Sequence, residues 1–189
     1  MTRTLSRRRL LAVGSAAVAA PMLSACANGV NSNGAPRIDA RVDQATNFMY
    51  NSVPEAHTLR DRSYGMLMMP LVTEATLGVG GAYGTGALRV EDATVDYYST
   101  AKASVGLQLG AQQYSHALFF MTPSALDAFR SSTGWTAGAD MTYAFKTQGG
   151  TVTTDTNVLT KPVIALVFGQ AGLIAGASVD GQKYTRIIP

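Results

Sequence analysis

Cys26 is the only cysteine in this chain of 189 residues, so no intramolecular disulfide can form. Histidine is almost as scarce. His57 and His116 do not stand at metal-ligand spacing from other ligands, and no second cysteine exists to complete a site. They read as a surface and a strand histidine. No Gly-x-Ser-x-Gly elbow and no Gly-x-x-x-x-Gly-Lys phosphate loop occurs. The acids Glu91, Asp92 and Asp96 cluster near a turn, where solvated charge is the ordinary explanation. No constellation argues for an enzyme, and the expectation is no catalytic residue, no metal and no cofactor.

Positive charge is also scarcer than the total suggests. The formal net charge is +3, but Arg3, Arg7, Arg8 and Arg9 lie in the first 25 residues, which hold no acid. The remaining 11 basic and 12 acidic side chains leave residues 26–189 at −1. Charge therefore gives no argument for nucleic acid or for strong attraction to anionic surfaces.

The basic start is followed by small and apolar residues from Leu10 to Ala25. This run is too short and too rich in Ala and Gly for a membrane span, which needs roughly 20 strongly apolar residues. It has the layout of a secretory leader over residues 1–25. Ser6-Arg7-Arg8-Arg9-Leu10-Leu11 resembles the twin-arginine export signal, with Arg7 and Arg8 as the pair. Leu23-Ser24-Ala25-Cys26 resembles a bacterial lipobox. That resemblance implies a diacylglycerol thioether on Cys26 and a further acyl chain, such as palmitate, on the amine freed by cleavage. Ala27 follows where an aspartate commonly retains a lipoprotein in the inner membrane. The expected location is the cell envelope, anchored in the outer membrane and facing the periplasm or the cell surface.

Residues 26–37 are small, polar and rich in Gly and Asn, a flexible tether. Residues 38–189 are enough for one domain with a core of its own. Ile38, Val42, Ala45, Met49 and Val53 recur at helical spacing. Ser52-Val53-Pro54-Glu55 has the capping-box pattern and starts a second short helix that ends near Arg62. Arg37, Arg41, Arg60 and Arg62 share this region with Asp39, Asp43, Glu55 and Asp61, a mixed face with a weak electrostatic signal. Met66 to Met69 form an apolar run stopped by Pro70, either a buried strand or a turn anchor.

Glycines 78, 80, 84 and 86 share one parity of a period-2 pattern. In a strand they put bare backbone on one face, against which something packs very closely. Strands are expected over 95–100, 103–114, 117–121, 135–146, 151–158, 163–168, 173–179 and 184–188. Turns are expected at Glu91–Thr94, Gly149–Gly150, Gly169–Gly172 and Asp180–Gly181, and Thr122 caps a short helix from Ser124 to about Ser131. The fold class is α+β: short N-terminal helices, then a curled, mostly antiparallel sheet that makes a sandwich or partial barrel. A transmembrane β-barrel fits poorly with a lipid anchor and with export of a folded chain.

Three blocks resemble the SYLF domain, a lipid-binding family of bacterial lipoproteins and eukaryotic endocytic proteins. They are Gly78-Val-Gly-Gly-Ala-Tyr-Gly-Thr-Gly-Ala-Leu-Arg89, the stretch from Tyr98 to Gln112 with Ala117-Leu-Phe-Phe-Met121, and Ala165-Leu-Val-Phe-Gly-Gln-Ala-Gly-Leu-Ile-Ala-Gly-Ala-Ser-Val-Asp-Gly181. The resemblance runs from about Tyr64 to the C-terminus. It implies phospholipid binding, actin binding in some eukaryotic members, and no catalytic site. Headgroups would meet cations at the sheet rim. Arg89 and Lys102 lie inside the blocks and lead the candidates, followed by Arg60, Arg62, Lys161, Lys183 and Arg186. The expected partner is membrane phospholipid. An envelope protein bound by a scaffold, or a lipid carried in an internal apolar cavity, are the alternatives, and oligomeric state stays open.

Overall fold

A computed structural model describes residues 33–138, 141–145, 161–172 and 178–189. The leader, Arg7, Arg8, Cys26 and most of the tether lie outside these residues, as do the strand expected over 151–158 and most of that over 173–179. Helix α1 (Gly34–Ser52) and helix α2 (Ala56–Arg62) precede a long hairpin of β1 (Gly65–Val90) and β2 (Ala93–Phe120). Helix α3 (Pro123–Ser131), β3 (Trp135–Thr136), β4 (Met141–Phe145), β5 (Val163–Gly172) and β6 (Lys183–Ile187) follow. The class is α+β, as the sequence indicates, with a curled sheet of six strands among the described residues. The third helix follows the hairpin, where the sequence places it.

The hairpin turns at Glu91 and Asp92, whose φ values of 50° and 66° suit the tight turn that matches strand twist. Strands of 26 and 28 residues cannot stay straight on a small core. Register shifts between Met69 and Val72, Leu77 and Gly78, and Leu88 and Arg89 bend the ribbon. At Gly78, φ is +80°, which an L side chain resists. Here the ribbon folds over, and the later half of β1 crosses the earlier half. A Cβ on Gly84 would stand 2.7 Å from the Leu71 carbonyl oxygen, and one on Gly86 would overlap that of Met68. The close neighbour of the glycine face is therefore the same strand.

The far edge of β2 is shared. Gln112–Phe120 pair with β5 and Tyr97–Ala101 with β6, both antiparallel. β3 extends the sheet beyond β6, and β4 lies beyond β5, paired parallel to it. Both faces of the central sheet are buried. Leu67, Met69, Leu118, Phe120, Val163, Ala165 and Val167 join one core with α3. Met66, Met68, Ala117, Phe119, Ile164 and Leu166 join a second core under α1 and α2. Strands buried on both sides read as continuous apolar runs, which is why Met66–Met69 and Val163–Phe168 carry no alternation.

The α1 stripe Ile38, Val42, Ala45, Met49 and Val53 is buried as its spacing indicates. Thr122 caps α3, its Oγ1 accepting from the Ala125 N–H at 3.2 Å. Several local expectations are corrected. Ser52 ends α1, and the N-cap of α2 is Glu55, which makes no side-chain cap bond. Pro70 does not stop its strand. It sits in a bulge, where a missing N–H costs nothing, and its carbonyl accepts from Ser115 Oγ at 2.7 Å. Gly169 is a strand bulge (φ +61°) and not a turn, because β5 continues to Gly172. The strand expected over 135–146 is interrupted: Ala137 and Gly138 lie outside β3.

Candidate functional site

Helix α1 sorts its charges by face. Asp39 points at the hairpin and accepts from Thr94 Oγ1 at 2.9 Å and from the Tyr97 hydroxyl at 2.7 Å. Burial first, then that carboxylate, push the Tyr97 phenol up to about 12. Asp43 pairs with Arg89 at 2.6 Å. Arg37 and Arg41, one turn apart on another face, are exposed, and neither makes an ion pair among the described residues. The mixed face of the sequence thus resolves into an acidic side neutralised by the sheet and a cationic side open to solvent.

These two arginines line a groove of about 430 Å³ together with Tyr83, Thr85, Ile187 and Ile188. Tyr83 is 59% exposed and Ile188 76%. Arg41 also lines a neighbouring depression of about 480 Å³, with Phe48, Pro70 and Leu71 on its walls. Phe48 is 53% exposed and stacks on Phe168 with ring centroids 6.2 Å apart. Two guanidinium groups beside exposed aromatic and aliphatic surface suit an amphiphile with an anionic head, since guanidinium matches phosphate oxygens in pairs.

The sequence candidates do not gather into one rim. Arg89 is spent on Asp43, and Arg60 is paired with Asp92 at 2.6 Å. Arg186 and Arg130 hold the Asp96 carboxylate, which is 1% exposed; the Arg130 contact is 3.0 Å. Asp96 is therefore a buried ion-pair centre and not a solvated turn acid. Lys102 Nζ donates to the Ser178 carbonyl oxygen at 3.4 Å. Lys183 is exposed, with its stem over Gly134. Arg62 and Lys161 are exposed as well. Arg37 and Arg41, which are not among those candidates, share one groove, and their i, i+4 spacing with Gln44 and Phe48 continuing the same face was the available sequence signal.

Polar groups also occupy the inner face of the curl. Thr100 Oγ1 donates to Gln182 Oε1 at 2.9 Å, and the Tyr184 hydroxyl donates to the same oxygen at 3.2 Å. Gln182 Nε2 donates to the Tyr114 hydroxyl, and the Tyr184 oxygen stands 2.8 Å from His116 Nε2. Burial pushes the His116 imidazole down to about 3, so it is neutral near pH 7. Burial also raises the Tyr114 and Tyr184 phenols. This network holds the barrel-like interior together and offers no cation to an anionic ligand. His57 lies outside it, exposed and stacked on Tyr50 at 4.1 Å.

No curated protein matches the sequence. Residues 101–186 match the family model described as Ysc84, Las17-binding protein actin regulator. That span runs from within β2 into β6 and takes in the β2–β5 pairing, while of the β2–β6 register only Ala101 and Lys183 both lie inside it. It holds the third block and all of the second but Tyr98–Thr100, while Gly78–Arg89 precedes it. The match covers a little under half of the chain and is consistent with the SYLF resemblance.

Proposed function

We propose that this is a non-catalytic, lipid-anchored envelope protein whose SYLF-type domain binds anionic phospholipid, with the headgroup phosphate at Arg37 and Arg41. The groove on α1 supports the reading most: two cations with no acid partner among the described residues stand beside the exposed Tyr83 and Ile188. Phosphate would take the guanidinium N–H groups in charge-assisted hydrogen bonds, and glycerol and upper acyl carbons would lie on the ring and aliphatic surface. Arg89, favoured by sequence, is a positioning group here, since it occupies Asp43 and leaves the other face of α1 cationic.

The anchor in this reading is the acylated Cys26 of an exported chain, held in the outer membrane. Gly34 begins α1 eight residues after Cys26, a reach of at most about 30 Å along an extended chain. The groove at the start of α1 would therefore stay close to the bilayer. The actin-regulator description of the family model belongs to its relatives, and an envelope protein of this kind would share with them the lipid contact. Co-sedimentation of the full chain carrying Cys26→Ser with phosphatidylglycerol vesicles tests the proposal, because the acyl anchor is then absent.

A further inference from the structure

From Leu71 to Tyr83, the outward row of β1 carries no charge. Leu71, Thr73, Ala75, Leu77, Val79 and Tyr83 are its exposed members. The one acid of this stretch, Glu74, faces the other way, buried and hydrogen-bonded to Gln112 Nε2 at 2.9 Å. Leu77 is 80% exposed and Val79 73%. They flank Gly78, where the ribbon folds over and a Cβ would meet nothing within 4 Å, so they project from its convex corner.

We propose that the corner Leu77-Gly78-Val79 is a wedge that inserts into the hydrocarbon layer of a phospholipid leaflet. The inference rests on the headgroup reading above and adds a second, apolar contact to it. Two branched aliphatic side chains at a convex apex present little surface for a shaped protein pocket, whereas a fluid acyl phase needs no matching shape. The residues around the apex are layered as a leaflet is. Val79 and Leu77 form an apolar tip. Tyr83, on the same outward row as Val79 and about 13 Å further along the strand, has the amphipathic ring that settles at membrane interfaces. Arg37 and Arg41 stand beside Tyr83 and match the anionic phosphates. Leu71 and Phe48, next to Arg41, put apolar surface at the same level on the other arm of the fold.

The test uses the full chain with Cys26→Ser, where Trp135 is the single tryptophan. A Val79→Trp variant on a Trp135→Phe background is mixed with phosphatidylglycerol/phosphatidylcholine vesicles whose acyl chains carry bromine. The wedge predicts a blue shift and at least half of the Val79→Trp emission quenched, while Trp135 of the parent, packed against Phe129 and Tyr184, is not quenched. The double variant Leu77→Asp/Val79→Asp lowers vesicle partitioning at least tenfold, the scale expected for losing two inserted aliphatic side chains. Pelleting with no quenching, and undiminished in the double variant, overturns the wedge and leaves headgroup binding standing. Failure of every chain to pellet overturns both. A parent that sediments as a dimer without lipid, and that Leu77→Asp dissociates, assigns the corner to a second copy and also overturns the wedge.

Discussion

Gly86 lies against the carbonyl oxygen of Met68, a residue of its own strand, so closely that a Cβ would overlap that atom. The contact fixes how tightly the hairpin folds over at Gly78. Gly86→Ala is expected to destabilise the domain by about 3 kcal/mol or more, because the neighbour is backbone and cannot swing aside. Gly78→Ala meets nothing within 4 Å and carries only the strain of its positive φ, about 1–2 kcal/mol. Urea unfolding of the two variants checks the ranking; equal losses would contradict the crossing of the two halves.

Asp96 is held from both sides by Arg130 and Arg186. Arg186→Ala removes one partner of a buried carboxylate and leaves the other, an expected cost of about 1–3 kcal/mol. Vesicle binding should not change, since Arg186 serves the fold. Thermal unfolding and vesicle pelleting of this variant separate the two roles. A loss of binding without a loss of stability would return Arg186 to the lipid site.

His116 makes the stability depend on pH. Its folded value, about 3, lies below the unfolded value near 6.5. Between those values the unfolded chain holds a proton that the folded chain does not. Stability from this group is complete above pH 6.5 and falls as the pH drops toward 3, by at most about 1.4 kcal/mol per pH unit. His116→Phe should flatten that slope, while Tyr184 keeps its bond to Gln182 Oε1. Unfolding curves at pH 7, 5.5 and 4 for both chains supply the comparison; parallel slopes would count against it.

Much of this architecture is legible in the sequence for a physical reason. The α1 stripe has the helical period, and the apolar runs 66–69, 117–121 and 163–168 mark strands buried on two faces. The glycine parity announces a close approach, but only the fold reveals that the approaching element is the same strand, since nothing local to residues 78–86 specifies residues 68–76 as the neighbour. The candidate site was harder to see. Arg89 and Arg186 look like free cations until long-range contacts bring Asp43 and Asp96 to them. Arg37 and Arg41 look neutralised by nearby acids until the helix turns those acids toward Thr94, Tyr97 and Arg89. Sequence proximity of charges does not set which face they occupy.

The central claim is that the folded domain binds anionic phospholipid through α1 without help from the anchor. The direct measurement compares the full chain carrying Cys26→Ser with the same chain carrying Arg37→Glu/Arg41→Glu, on phosphatidylglycerol and on phosphatidylcholine vesicles. Each basic residue at an anionic surface contributes about 1 kcal/mol, so removing and reversing two should weaken binding to phosphatidylglycerol at least tenfold. Unfolding stability should stay within about 0.5 kcal/mol, as for other exposed substitutions. The account predicts binding that prefers phosphatidylglycerol, weakens with salt and is lost in the double variant; no binding by the parent, or equal binding by both chains, would contradict it.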